Sequence, residues 1–116
     1  MSTKSITVEP TPNGVCILTI NETIKKVENE DLQSSFLECF DNGCYRIIID
    51  FSNAGQVYSP IIRVLSWASE IVANNQGRLI LASISSENYL KFDKIGLDEL
   101  MEMVPDLQFA TDLLKD

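Results

Sequence analysis

The sequence predicts a single α/β domain over residues 1–116, with a mixed, mostly parallel sheet of four to five strands and about four helices in the order ββαβαβαβα. The first reason is the length of 116 residues, which suits one domain with one core. The second is a composition with 45% hydrophobic and 22% charged residues, typical of a packed globular chain. The third is the alternation of β-prone and helical runs after a hairpin, which favours right-handed crossovers between parallel strands.

The first third of the chain predicts a hairpin followed by a helix. Two β-prone runs, residues 5–8 and 15–20, flank a segment, 10–14, whose Pro and Asn-Gly residues favour a turn. A helix capped by Asn29 and ended by Gly43 follows. Its apolar residues recur at helical spacing and predict one buried side: Leu32, Phe36, Cys39 and Phe40.

The middle of the chain predicts a central strand and a second helix. Consecutive isoleucines in the run 45–51 indicate a strand covered on both faces. After a polar loop, residues 52–59, Pro60 begins the second helix because proline is tolerated in a first helical turn. Gly77 closes the turn before the next strand, 78–83.

The last third predicts two short helices separated by a short strand. A helix over residues 87–94 has a serine cap and is broken by Gly96. A strand over residues 100–104 follows, and Asp106 can cap a terminal helix that runs to Lys115. These elements complete the predicted order.

Charge and hydropathy restrict the classes of partner. Seventeen acidic and nine basic residues give a net charge of −8 and a pI near 4.4, so the average field repels phosphate backbones and anionic lipid. We therefore expect no nucleic-acid partner. The acidity serves either solubility or attraction to a basic protein surface. Since neither a signal peptide nor a membrane-length apolar run is visible, we expect a cytoplasmic protein without membrane insertion.

The residue types argue against an enzyme. The chain has no histidine, which excludes histidine-ligated metals and Ser-His or Cys-His catalytic pairs. Cys16, Cys39 and Cys44 are spaced like neither zinc ligands nor a redox CxxC pair, so we expect reduced thiols. Asp50 ends the central strand without a base nearby in sequence and is interpreted as a loop cap. We expect no catalytic residue, metal or cofactor.

Two stretches of the chain resemble the STAS domain family, which bacterial anti-sigma factor antagonists share with the cytoplasmic parts of sulphate transporters. Residues 91–115, KFDKIGLDELMEMVPDLQFATDLLK, are similar to the family's C-terminal helix, Gly-Leu turn, short strand and closing helix with paired leucines. Residues 45–68, YRIIIDFSNAGQVYSPIIRVLSWA, resemble its central strand, the following loop and the start of the second helix. With the element order, the resemblance covers nearly the whole chain.

The resemblance implies a protein that binds other proteins. In anti-sigma factor antagonists, the loop before the second helix holds a serine that a partner kinase, itself the anti-sigma factor, phosphorylates to switch binding off. The family motif is Asp-Ser/Thr-Ser-Gly-aliphatic. Alignment places Tyr58 at the Asp, Ser59 at the phosphoacceptor, Pro60 at the second Ser and Ile61 at the Gly. Of these four positions, only the serine matches the motif.

Residue chemistry leaves two interpretations of Ser59 and two of Trp67. Ser59 is either only an N-cap or a phosphoacceptor at a helix start, where free N–H groups favour a phosphate. Trp67 either covers the helix edge or contacts a partner, since Trp and Arg are enriched in interface hot spots. The helical projection places Arg63 and Trp67 away from the core side and Ile62 at its border. Candidate partner-binding residues, with loop 52–59, are Tyr58, Ser59, Pro60, Ile62, Arg63 and Trp67.

The first functional hypothesis is a non-enzymatic, anti-sigma factor antagonist-like protein in a bacterial transcriptional switch, binding an anti-sigma factor kinase or similar regulator. The alternative is a permanent structural subunit of a signalling scaffold or transport complex, which the absent motif Asp and Gly favour. A third is a small enzyme or ligand-binding domain that uses strand-end loops, including Gln56 and Tyr58. A homo-oligomer stays open.

Overall fold

The computed structural model describes residues 6–20, 29–54, 59–94, 96 and 101–115. The strands in this part of the chain are β1 (Ile6–Pro10), β2 (Val15–Ile20), β3 (Arg46–Asp50), β4 (Arg78–Ala82) and β5 (Glu102–Val104). The helices are α1 (Asn29–Asp41), α2 (Ser59–Asn74), α3 (Ser86–Lys94) and α4 (Leu107–Leu113). The predicted order ββαβαβαβα is confirmed, with bounds that differ by a few residues.

The five strands form one sheet in the order β1-β2-β3-β4-β5. Only β1 and β2 pair antiparallel, with Ile6 opposite Ile20, while the remaining neighbours pair parallel. In the centre, Ile48 of β3 lies opposite Ile17 of β2 and Ile80 of β4. The predicted mixed, mostly parallel α/β sheet is therefore confirmed.

The two faces of the sheet carry separate apolar cores. Side chains alternate along β3, so Ile47 and Ile49 join the larger core with residues of α1 and α2, while Ile48 joins a smaller core with residues of α4. All three isoleucines are fully buried, and burial of one such side chain contributes about 1.5–3 kcal/mol. This strand is covered on both faces, as its sequence predicts.

Helix α2 turns one apolar side to the larger core. The five residues that the helical projection places on the core side are all buried: Ile61, Val64, Leu65, Ala68 and Val72. Arg63 and Glu70 are exposed, and Ile62 at the border is partly buried. Periodicity thus fixes which side chains of α2 remain available at the surface.

Two glycines at the ends of helices have different roles. Gly43 ends α1 as predicted, with a left-handed φ of 72°, and its N–H donates to the Phe40 carbonyl oxygen at 2.9 Å. After α2, however, Gln76 is the left-handed residue, with φ 59°. Gly77 is needed for space instead, because a Cβ atom there would lie 2.0 Å from the Tyr45 carbonyl oxygen. The turn is where the sequence predicts it, for a different physical reason.

The terminal helix has the predicted cap. The Phe109 N–H donates to Asp106 Oδ1 at 2.8 Å, and α4 ends at Leu113, two residues before the predicted end. The predicted strand over residues 100–104 is shorter, and Leu100 and the Asn29 side chain lie outside the described residues. Within the described residues, no helix combines the length and apolar character that a membrane crossing requires.

Candidate protein-binding surface

Trp67 lies on a set of aromatic rings between α1 and α2. Its half-buried ring meets Phe36 edge-on at a centroid distance of 6.3 Å and Phe40 at 6.0 Å. Phe40 also stacks on Tyr45 at 5.3 Å. Because edge-to-face pairs are favourable, these rings hold Trp67 in place. Trp67 therefore packs over the edge of α2 and keeps part of its ring at the surface, and a partner contact of that part stays a prediction.

The exposed part of Trp67 belongs to a shallow groove of about 320 Å³, which we call the α1–α2 groove. Its lining residues are Gln33 of α1 and Pro60, Arg63, Val64 and Trp67 of α2. The residues from α2 recur at intervals of three and four, which places them along one stripe of the helix. The structure thus brings together three of the predicted site residues, Pro60, Arg63 and Trp67.

Among the described residues that line this groove, Arg63 is the charged one. Its side chain is exposed, and the other described residues of the lining carry no charge. Two other arginines serve the fold: Arg46 donates to the Leu114 carbonyl oxygen at 2.6 Å, and Arg78 pairs with Glu102. The groove therefore combines a fixed aromatic surface with an accessible guanidinium.

The remaining predicted site residues are not all in the groove. Ser59 is the first residue of α2, but its side chain lies outside what the structure describes, so the N-cap interpretation stays a prediction. Gln56 and Tyr58 also lie outside the described residues. Ile62 is partly buried and packs against the larger core, so it is not among the residues that line the groove.

Asp50 is a structural residue at the end of β3. The residue is 9% exposed, and its Oδ1 accepts a hydrogen bond from the Ser52 N–H at 3.0 Å. This is the loop-capping role expected from its position. The contact fixes the start of the loop that leads from β3 towards α2.

Gln33 and the supporting rings of α1 were not predicted as part of the surface. The spacing of Phe36 and Phe40 indicates a buried helix side, and Phe36 is indeed fully buried. The packing of α1 against α2 is a long-range contact that periodicity within either helix does not encode. In the sequence, this part of the surface is indicated only by an aromatic pair at positions i and i+4 of one helix and a tryptophan in another.

The sequence and the fold can be compared with known proteins. The model of the STAS domain family matches residues 7–110. The chain belongs to the STAS domain family. STAS domains of the anti-sigma factor antagonist type are generally non-enzymatic. The resemblance and the fold class predicted from the sequence are both confirmed.

Solved STAS structures have the same fold as this chain. A Thermotoga maritima protein assigned as an anti-sigma factor antagonist superposes with a TM-score of 0.85 at 14% identity, covering 96% of this chain and 95% of that chain. An anti-sigma factor antagonist domain protein from Planctomyces limnophilus gives 0.84 at 19% identity, covering 96% and 98%. At these identities the likeness shows the fold alone.

A third STAS neighbour comes from a signalling assembly. A chain of the stressosome, a signal integration and transduction hub, superposes with a TM-score of 0.76 at 22% identity, covering 94% of this chain and 96% of that chain. STAS neighbours thus include components of protein–protein signalling complexes. Comparison of the sequence with curated proteins finds no significant match.

Proposed function

We propose that this STAS domain is a non-enzymatic module that binds a regulatory protein through the α1–α2 groove and the adjoining loop, residues 52–59. The observation that carries the proposal is the convergence of Trp67, Arg63 and Pro60 on one exposed stripe of α2. Trp and Arg are among the residue types enriched in the hot spots that carry most of the binding energy of an interface. The partner that best fits the family is an anti-sigma factor kinase or similar regulator in the bacterial cytoplasm, acting on transcription.

The packing of Trp67 favours binding because it reduces the entropy lost on association. A free tryptophan at a surface would lose rotamer freedom when a partner immobilised it. Here Phe36 and Phe40 already hold the ring edge-on at 6.3 and 6.0 Å. A partner side chain can therefore bury the exposed part of Trp67 at a smaller entropic cost.

Charge adds selectivity at the same place. The chain carries a net charge of −8, whereas the charged residue among the described groove lining is the positive Arg63. A partner that places a carboxylate at Arg63 and basic residues further out would complement both the positive charge of Arg63 and the net negative charge of the chain. Arg63 can hold that carboxylate through two parallel hydrogen bonds.

We further propose that phosphorylation of Ser59 regulates this contact. Ser59 begins α2, where backbone N–H groups without helical partners favour a phosphate. Ser59 and Arg63 are four residues apart, so they are neighbours along the same helix. A phosphate on Ser59 would compete with a partner carboxylate for Arg63 and would place negative charge beside Pro60. Both effects weaken binding.

A second candidate is a permanent subunit of a signalling scaffold or transport complex. The position of the family's glycine is occupied by Ile61, which is 2% exposed and belongs to the larger core. Replacement of the motif's acid and glycine by Tyr58 and Ile61 favours a binding surface without the phosphorylation switch.

Titration calorimetry of the full chain against each anti-sigma-type kinase from the same genome tests the binding proposal. We expect Trp67→Ala and Arg63→Ala to weaken a complex at least tenfold. Tyr89→Ala is the matched control, because Tyr89 is an aromatic residue of α3 that is 44% exposed and does not line the α1–α2 groove. Equal affinities of Trp67→Ala and the wild type would refute the proposal.

The proposed phosphorylation switch is tested by comparing two serine-to-glutamate variants. Ser59→Glu should weaken the complex, whereas Ser86→Glu should not, because Ser86 is an exposed serine that begins a different helix, α3. Mass spectrometry after incubation with the partner and ATP should find phosphate on Ser59. A stable stoichiometric complex with unmodified Ser59, equally strong for both glutamate variants, would favour the permanent subunit.

A further inference from the structure

The outer edge of β5 is open to an added strand. β5 ends the sheet beside β4, and no described strand pairs with its other side. The N–H of Ser83, which directly follows β4, donates to the Val104 carbonyl oxygen at 3.2 Å, so the main-chain groups of Val104 face β4. Because main-chain groups alternate along a strand, the N–H and carbonyl of Met103 face the open side. Neither group has a hydrogen-bond partner among the described residues.

A shallow groove of about 410 Å³, which we call the α3–β5 groove, lies at this edge. α3 forms one wall, β5 and the residue after it form the other, and the lining includes Ser86, Tyr89, Leu90, Met103, Val104 and Pro105. None of the described lining residues is charged. Met103 packs against the larger core and Val104 against the smaller one, which lie on opposite faces of the sheet. The groove therefore reaches around the open edge of β5.

The α3 wall of the groove presents apolar side chains to solvent. Leu90 is 61% exposed, more than any other large apolar residue in the described part of the chain, and Tyr89 is 44% exposed. The opposite side of α3 is anchored by Phe92, which is fully buried in the larger core. A strand added at β5 would turn alternate side chains towards Tyr89 and Leu90. An open strand edge beside an apolar groove is the arrangement with which domains bind extended peptides.

The charge around the groove indicates which peptide fits. The chain carries a net charge of −8, and the exposed Asp106 follows directly after Pro105 of the groove lining. Glu102, the acidic residue of β5, is already paired with Arg78. Two copies of so acidic a chain repel one another, whereas a basic segment is attracted. An apolar segment flanked by lysine or arginine therefore matches this edge better than a second copy of the chain.

We propose that the α3–β5 groove binds an extended apolar segment with basic flanks from a partner protein, which adds a strand to the sheet at β5. The main chain of this segment pairs with the N–H and carbonyl of Met103. One of its apolar side chains packs on Tyr89 and Leu90. The α3–β5 groove shares no described lining residue with the α1–α2 groove, so this site does not depend on the proposed regulator binding.

Nuclear magnetic resonance of the isotope-labelled full chain, titrated with a synthetic peptide, tests this site. The probe is acetyl-Lys-Val-Thr-Val-Lys-amide, compared with a peptide that has glutamate in place of both lysines and with one whose central amide nitrogens are methylated. We expect the probe to shift the amide signals of Met103 and Leu90. The glutamate peptide should bind about fivefold more weakly, because its charge is repelled. The methylated peptide should leave both signals unshifted, because it lacks the donors that an added strand needs.

Variants of the chain locate the binding site. Leu90→Ser should weaken probe binding about fivefold through loss of the apolar wall. Leu37→Ser is the matched control, because Leu37 is a 44% exposed leucine of α1 outside this groove, and it should bind like the wild type, as should Trp67→Ala. Three results would overturn the proposal: unshifted Met103 and Leu90 signals, equal binding of the methylated peptide, or Met103 shifts that depend on protein concentration without peptide, which would place a second copy at the edge.

Discussion

Replacement of Trp67 by alanine should lower the free energy of unfolding by about 1–3 kcal/mol. The magnitude comes from two edge-to-face contacts, with Phe36 and Phe40, at about 0.5–1.5 kcal/mol each. The partly exposed ring keeps the loss below the roughly 3–5 kcal/mol of a fully buried aromatic residue. Urea denaturation followed by far-ultraviolet circular dichroism measures it without a tryptophan signal.

Tyr89→Ala is the control for this stability measurement. Tyr89 is 44% exposed, and it stacks on no other ring of the described residues. A surface substitution of this kind changes stability by about 0.5 kcal/mol or less. If Trp67→Ala cost no more than Tyr89→Ala, the ring contacts would not hold Trp67, and the argument that it is preorganised for binding would be wrong.

Two further predictions concern glycine and cysteine positions. Gly77→Ala should lower the free energy of unfolding by about 3 kcal/mol, because the new Cβ would meet the Tyr45 carbonyl oxygen at 2.0 Å. Gly43→Ala should lower it by about 1–2 kcal/mol, because the left-handed φ alone opposes the substitution. Equal losses in urea denaturation would contradict this. Burial raises the pKa of Cys16 to about 11 in the folded chain, against a usual 9.0, so the unfolded chain loses this proton at lower pH. The contribution of Cys16 to the free energy of unfolding is therefore fully present below pH 9. Between pH 9 and 11 it falls by up to about 1.4 kcal/mol per pH unit. Urea titrations across this range should show a shallower fall for Cys16→Ala, and an unchanged slope would refute the assignment.

Most of the fold can be predicted from the sequence because periodicity records burial. The consecutive isoleucines of the run 45–51 suit a central strand covered on both faces, and β3 is such a strand. On α2, a spacing of three and four residues identifies the buried side and leaves Arg63 exposed. Local chemistry also suffices for the cap of α4 by Asp106.

The parts that could not be predicted depend on contacts between distant segments. The spacing of Phe36 and Phe40 within α1 predicts only that their rings are buried in the core. The packing of α1 on α2 is what makes these rings support Trp67 and the groove. The same holds for the approach of Cys44 to the strand of Cys16, and for Gly77, whose need for space arises from Tyr45, more than thirty positions earlier. Sequence spacing contains no record of such neighbours.

Hydrogen–deuterium exchange of the complex with a cognate kinase tests the central claim most directly, because it locates the contact surface without substitutions. The proposal predicts slower exchange in the peptides that cover the first half of α2 and the part of α1 around Gln33, with little change in α3 and α4. Protection confined to α3 and α4, with unchanged exchange around Arg63 and Trp67, would contradict it.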